Sequence, residues 1–291
     1  IRDPLWSRGL GDVYKRQTFN SGVTIARTIT SILSQTYSEF ELIIVDNFST
    51  DNTKDIVESF EDKRISFHRV NNNGMPAVSR NFGVSLAKYD YIAFCDSDDT
   101  WTNNKLSESV HHIDRGEQFI SHDLHLKGSL FKPILKKIFF RSKPRNFNEI
   151  ILQGNPIFQS SVIIKRELIL KAGCYTIDKR YIAIEDFHLW ANVLQLGITL
   201  KFINKKLGYY FYSSSALSSS ANQFISNRAF RLDFSPTYKP AWYKYNIATY
   251  LLRKNMNRRS ILYLRSICFQ KNCSIELRLK SLFLLLKACA R

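Results

Sequence analysis

A doubly wound α/β domain is the architecture this sequence predicts, and three observations predict it. Short, nearly continuous apolar runs at Glu41–Asp46 (ELIIVD) and Tyr91–Cys95 (YIAFC) have the pattern of parallel strands buried on both faces. Segments of helical periodicity alternate with such runs, as in a sheet built from strand–helix–strand units. Acids stand at the strand ends, Asp46 closing the first run and Asp96 following the second, where an open α/β sheet presents polar groups to a ligand. With 291 residues, 44% hydrophobic and 23% charged, the chain has room for a sizeable core, and its composition excludes a disordered or collagen-like protein.

The elements follow in order. Ile25, Ile29, Ile32 and Leu33 recur at helical spacing within Ser21–Thr36, so a helix follows Asn20. After the Glu41–Asp46 strand, Thr50, Asp51 and Asn52 offer N-caps for a helix reaching Phe60. Ile65–Val70 reads as a strand, Asn71–Gly74 as a turn, Pro76–Ala87 as a helix and Tyr91–Cys95 as a strand opening into the acids DSDD, Asp96 to Asp99. Farther on, Ser160–Lys165 and Ile198–Ile203 read as strands and Glu185–Leu196 as a helix. Ser213–Ser220 reads as a mobile loop, and the periodicity beyond Asn222 is helical to the end.

Charge divides the chain differently. The net charge is +17, yet residues 18–123 carry −7, residues 124–148 carry +7 and residues 201–291 carry +15. An acidic-to-neutral body therefore bears two basic attachments. Five cysteines without C-x-x-C spacing argue against a disulfide framework and a structural zinc site, so a reducing cytoplasm is the expected compartment. No apolar run approaches the roughly 20 residues that cross a bilayer. Residues 1–17 (IRDPLWSRGLGDVYKRQ) lack a signal peptide's apolar region, and Ser7–Gln17 resembles the translation of a transposase adapter used in DNA library preparation. Authentic sequence is then expected to begin near Thr18, with Gly11–Gln17 imitating the strand that belongs before it.

Three carboxylates within four residues, Asp96, Asp98 and Asp99, repel one another unless a cation neutralises them. Oxygen-only ligands select a hard ion, Mg²⁺ or Mn²⁺, and such ions complete their shell with water and substrate phosphates. A nucleotide carrying a diphosphate is the matching partner. Taken by itself, DSDD also reads as a solvated acidic turn before a helix after Thr100.

Five ordered motifs favour the metal site. The series TFNSG (Thr18–Gly22), VDNFSTDNT (Val45–Thr53), NNGMPAVSRNFG (Asn72–Gly83), YIAFCDSDDTW (Tyr91–Trp101) and EDFHLW (Glu185–Trp190) resembles the family 2 glycosyltransferases, over roughly residues 18–220. The resemblance implies the GT-A fold, a Rossmann-like doubly wound mixed sheet, here with a C-terminal helical extension. It implies a nucleotide-diphospho-sugar domain over 18–220, made of a nucleotide half (18–123), a basic insertion (124–148) and an acceptor half (149–220), followed by a basic helical extension (221–291).

Carried over by resemblance, Thr18, Phe19 and Asn20 contact the nucleotide, Asp46 meets the base and Arg80 lies near the nucleotide. Asp96 reaches toward ribose, and Asp98, with Asp99, holds the metal on the diphosphate. Asp186 matches the catalytic base, which the chemistry requires because the attacking hydroxyl must lose its proton. Glu185 is its neighbour on the acceptor side; successive helical side chains diverge by about 100°, so one of the pair faces the acceptor. Phe211 and Ser213 stand where many members carry Arg and His, a departure that removes a further metal or diphosphate ligand. Trp101 and Trp190 read as core or sugar-site residues, and His111, His112 and His188 as structural.

The basic attachments suit an anionic membrane surface. Ile275–Lys287 and Phe131–Arg141 interleave apolar and cationic residues, and no nucleic-acid recognition motif accompanies them. The expected protein is a bacterial, cytoplasmic enzyme, peripheral at the inner face of the membrane. It moves a sugar, with inversion, onto a hydroxyl of a surface glycan or lipid-linked acceptor. The rival readings are a sugar-phosphate nucleotidyltransferase, which calls for a Lys- or Arg-bearing phosphate loop that TFNSG lacks, and a non-catalytic basic module binding lipid or nucleic acid.

Overall fold

The computed structural model describes residues 13–128, 143–211, 222–235, 237–270, 273 and 275–289. The sequence reading of Phe131–Arg141 and of Ser213–Ser220 lies outside them. The chain forms two compact units, neither continuous in sequence. The first draws on residues 13–128, 157–177 and 198–211, the second on 143–156, 178–197 and 222–289.

The first unit holds a mixed eight-stranded sheet among the described residues. Its strands are β1 (Val13–Thr18), β2 (Leu42–Asp46), β3 (Ile65–Arg69), β4 (Tyr91–Cys95), β5 (Thr100–Trp101), β6 (Phe119–Lys127), β7 (Ile163–Lys165) and β8 (Lys201–Phe211). Their order across the sheet is β3-β2-β1-β4-β7-β6-β8-β5. β3, β2, β1 and β4 run parallel, whereas β7 is antiparallel to both β4 and β6. Residues 13–17, read as foreign code, supply the strand between β2 and β4, with Val13 opposite both Leu42 and Ala93. Between the strands lie α1 (Ile25–Leu33), α2 (Thr53–Glu58), α3 (Pro76–Leu86), α4 (Lys105–Ile113) and, after β7, α6 (Arg166–Lys171), while α5 (Phe147–Gln153) belongs to the second unit.

Burial follows the predicted pattern. Every residue of β2 is buried, and Ile25, Ile29 and Ile32 form the stripe of α1 that packs with Leu42, Ile44, Ala93, Cys95 and Trp101. Each such aliphatic side chain contributes about 1.5–3 kcal/mol relative to exposure. Where the sequence places a helix after Thr100, the chain first adds the two-residue strand β5 and begins α4 at Lys105. Ser160–Lys165 is a strand only from Ile163; Gln159–Ser161 is a 3₁₀ turn, which turns Ser160 toward the acidic loop. β6 was not foreseen, and β8 extends from Lys201 to Phe211, because the two pair in parallel over their full lengths.

The second unit is helical: α5, α7 (Glu185–Gln195), α8 (Asn222–Phe234), α9 (Ala241–Arg253), α10 (Asn257–Cys268) and α11 (Ile275–Cys289). Aromatic faces hold it. Phe187 stacks on Phe230 at 3.8 Å between centroids and meets Trp242 edge-on at 5.6 Å. The Trp242 indole N–H donates to the Ile151 carbonyl at 2.8 Å. Gly154, at φ +83°, closes α5 against that indole, since a Cβ there would lie 3.0 Å from the Trp242 ring.

Candidate active site

In the first unit the loops after β1, β2 and β4 are tied together by side chains. Asn20 takes a left-handed backbone (φ 49°), which Asn tolerates better than most residues. Its N–H donates to Ser49 Oγ at 2.9 Å, and its Oδ1 accepts from the Thr50 N–H at 3.0 Å. Gly22 comes so close to the α2 N-terminus that a Cβ would sit 2.1 Å from Asn52 Oδ1, so any larger residue must displace the Asn52 side chain. The Gly22 N–H donates to Asp51 Oδ2 at 2.9 Å; the other Asp51 oxygen accepts from the Thr53 N–H and hydroxyl. Phe19 is exposed beside this junction. The Thr18 backbone pairs with that of Asp46 at the ends of β1 and β2.

Asp46 is fully buried and turned into the protein. Its Oδ1 accepts from Ser49 Oγ at 2.5 Å, and its Oδ2 from the Ser49 N–H at 2.9 Å and Arg69 Nε at 3.2 Å. Arg69 also donates to the Ser49 carbonyl at 3.0 Å. In this geometry the carboxylate braces the turn Asn47–Ser49, and the turn itself is what reaches the strand ends.

The acidic loop shows a division of labour among its three carboxylates. Asp99 is completely buried; its Oδ2 accepts from Ser160 Oγ at 2.5 Å and its Oδ1 from the Phe211 N–H at 3.1 Å. Burial, and then the charges of Asp96 and Asp98, push its carboxyl well above the usual carboxylate range, against the lowering effect of the Ser160 and Phe211 hydrogen bonds. Ser160 Oγ in turn accepts from the Asp96 N–H at 2.9 Å, while its carbonyl accepts from the Trp101 indole at 2.9 Å. Asp96 is nearly buried, and Asp98 is the least buried of the three. Arg27 donates to the Asp98 backbone carbonyl at 2.8 Å and lies over the Phe211 ring at 3.7 Å. Ser97 Oγ stands 3.1 Å from Ser21 Oγ, joining this loop to the one after β1.

Among the described residues no three His, Cys, Asp or Glu side chains converge as a metal cage. Both Asp99 oxygens are spent within the chain, which leaves Asp98 as the accessible carboxylate of the loop. One hard oxygen donor beside substrate phosphates fits Mg²⁺ or Mn²⁺, which retain water and seldom occupy all-protein cages.

Arg80 is buried on α3, its guanidinium 5.1 Å from the centre of the Tyr175 ring. Asn81 fixes Tyr175 by bonding both its carbonyl, at 2.8 Å, and its N–H, at 2.9 Å. Asn72, also buried, donates through its N–H to Asn47 Oδ1 at 3.0 Å and through Nδ2 to Ser79 Oγ at 3.0 Å, linking the α3 entry to the turn that Asp46 braces.

In the second unit Glu185 and Asp186 occupy the first turn of α7, where acids complement the helix dipole. Glu185 is buried and Asp186 is half-exposed, with Oδ1 accepting from the Phe187 N–H at 2.7 Å. Ala183, at φ 74°, sets the entry of the helix. Trp101 and Trp190 are both core residues of their units. His188 lies edge-on to Tyr181 at 4.4 Å, and burial lowers its imidazole below the ordinary value.

Sequence reasoning did not single out Ser160, Arg27 or Arg69, because each acts on a partner distant in sequence, nor Ser49. Ser49 alone carried a local signal, an Asp-x-x-Ser turn following a strand.

The model of glycosyl transferase family 2 matches residues 17–161. An Escherichia coli protein described as a UDP-Glc:alpha-D-GlcNAc-diphosphoundecaprenol beta-1,3-glucosyltransferase is 35% identical over 206 residues, 71% of this chain and 78% of that one. A putative teichuronic acid biosynthesis glycosyltransferase of Bacillus subtilis is 30% identical over 206 residues, covering 70% and 79%. Among solved structures, S. aureus TarS 1–349 in complex with UDP-GlcNAc superposes with a TM-score of 0.62 at 18% identity, over 88% of this chain and 79% of that one. The mannosyltransferase of Pyrobaculum calidifontis in complex with GDP-Man and Mn²⁺ gives 0.56 at 15% identity, over 100% and 75%.

Proposed function

The chain belongs to the family 2 glycosyltransferases and has the GT-A fold, and from that membership we propose that it moves a glucose-like sugar from a UDP-sugar onto a hydroxyl of a diphospholipid-linked sugar, with inversion at the anomeric carbon. The observation that carries this reading is the division within the acidic loop: Asp99 locked inside and Asp98 left accessible at the carboxyl edge of the parallel strands. The E. coli relative, named for this donor and acceptor, supports the substrate class.

In this reaction the turn braced by Asp46, together with Thr18, Phe19 and Asn20, receives the base, Asp96 orients the ribose, and Arg80 acts from beneath on the nucleotide. Asp98 holds the ion. A Mg²⁺ or Mn²⁺ ion held there would supply charge that offsets the departing diphosphate. Asp186 takes the proton of the attacking acceptor hydroxyl, and the bond to the anomeric carbon forms on the face opposite the leaving UDP, so the configuration inverts. Glu185, buried behind it, keeps the first turn of α7 in place. The enzyme works at the cytoplasmic face of the membrane, where such lipid-linked acceptors and nucleotide-sugars meet.

Mass spectrometry of products from purified protein, candidate UDP-sugars and a prenyl-diphospho-GlcNAc acceptor, with and without Mn²⁺, tests the proposal. A disaccharide-diphospholipid made only when the ion is present is expected. Transfer that survives full chelation removes the metal assignment, and release of diphosphate from a nucleoside triphosphate and a sugar phosphate would favour a nucleotidyltransferase.

A further inference from the structure

Helix α11 is apolar on two opposite sides. Ser281 and Ala288 are buried on the side that packs against α10. On the other side Ile275, Leu279, Leu282, Phe283 and Leu286 are 46–78% exposed. Their spacing of four, three, one and three residues gathers them onto about 100° of the helix circumference. A water-facing helix ordinarily puts charge there. No helix among the described residues is long and apolar enough to cross a membrane.

The surroundings of the stripe indicate its occupant. The exposed face of α10 alternates cation and hydrophobe: Arg258, Leu262 and Arg265, with Phe269, 85% exposed, just beyond the helix end. From residue 253 to the end the sequence has ten Lys and Arg against the single acid Glu276. A second copy of this surface would bring like charges together, and a protein partner would need an acidic frame around an apolar groove. An anionic bilayer supplies both requirements at once, hydrocarbon for the stripe and headgroup phosphates for the cations.

We propose that α11 lies in the plane of an anionic lipid surface, with Ile275, Leu279, Leu282, Phe283 and Leu286 turned into the acyl boundary and the α10 arginines at the headgroups. This rests on the lipid-linked acceptor reading above and adds the surface that brings the enzyme to it. Docking along a helix limits the search for acceptor to two dimensions.

The test uses the full chain and vesicles of phosphatidylcholine with or without phosphatidylglycerol. The quadruple variant Leu279→Ser, Leu282→Ser, Phe283→Ser and Leu286→Ser should melt as the parent does, since these side chains face water. It should lose roughly tenfold or more of its partitioning onto anionic vesicles. A single Phe283→Trp probe should shift its emission to the blue when such vesicles are added and be quenched by brominated acyl chains. Transfer to a water-soluble short-chain acceptor should be the same for parent and quadruple variant, so loss of vesicle binding with transfer intact separates this inference from the enzymatic reading. Parent-like partitioning of the quadruple variant, or a tryptophan that stays in water, overturns the proposal. So does a parent that sediments as a dimer the quadruple variant abolishes, which would make the stripe a contact between copies.

Discussion

The two units hold their candidate site carboxylates by opposite means. In the sheet unit two acids near strand ends are fastened by hydrogen bonds from elsewhere in the chain: Asp46 by Ser49 and Arg69, Asp99 by Ser160 and the Phe211 N–H. In the helical unit Asp186 is placed by the helix that carries it, and that helix by aromatic faces such as Phe187 on Phe230. Buried hydrogen-bond networks fix direction, because each bond has a required angle, and leaving one member unpaired is costly. Aromatic stacking fixes position while tolerating small rotations. A nucleotide diphosphate needs the first kind of site, and an acceptor of variable structure is served by the second.

Removing the least buried acid of the loop should produce the largest effect. Asp98→Ala is expected to lower transfer by about 10³-fold, on the scale of losing a preorganised charge at the leaving group. Its melting temperature should stay close to the parent's, because the side chain is only partly buried. Calorimetry with UDP and Mn²⁺ should show no ion-dependent binding; undiminished affinity would remove Asp98 from the metal site.

On the helical side, Asp186→Asn should lower transfer by about 10²-fold or more while leaving UDP affinity unchanged, because the proposed donor contacts belong to the other unit. Glu185→Gln is the control. Since Glu185 is buried, its amide should alter stability more than the chemical step. Were Glu185→Gln to stop transfer while Asp186→Asn spared it, the base would be the buried neighbour.

Legibility in the sequence follows the same division. β2, β4, α1 and α3 were readable because apolar periodicity and a helix-initiating Pro76 are local signals. The acids were readable because they cluster within one loop. What escaped depends on partners far along the chain. β6 (FISHDLHLK) has mixed polarity, and a charge boundary drawn after residue 123 cuts through it; it is a strand because β8 pairs with it. The separate tasks of Asp98 and Asp99 were invisible because Ser160, which claims Asp99, lies 61 residues away. The compact units cross the sequence, so composition shifts at 124 and 221 do not mark their limits.

A smaller change probes the network itself. Ser160→Ala leaves the buried Asp99 Oδ2 and the Asp96 N–H without their partner, a loss of about 1–3 kcal/mol by denaturant unfolding. If Ser160 also aims the acidic loop, UDP affinity in Mn²⁺ should weaken severalfold. A drop in stability with unchanged affinity would confine the serine to the fold.

The smallest expected effect concerns a lysine that the sheet unit buries. Lys105 is fully buried at the start of α4, its Nζ 3.4 Å from the centre of the Trp101 ring and without a hydrogen-bond partner among the described residues. Burial holds its amine well below the ordinary value of 10.5, opposed weakly by Cys95. The indole face favours the cation, but burial outweighs it and shifts the equilibrium toward the neutral amine. The unfolded chain binds a proton there until pH 10.5. Between the lowered folded value and 10.5 the unfolded state thus holds more protons, and stability rises with pH as this penalty fades. Lys105→Met keeps the length and apolar stem of the side chain and removes the titration. It should raise the melting temperature at neutral pH, and the gain should shrink steadily as the pH approaches 10.5. A gain independent of pH would mean that Lys105 is charged in the folded protein, and that the Trp101 ring outweighs burial.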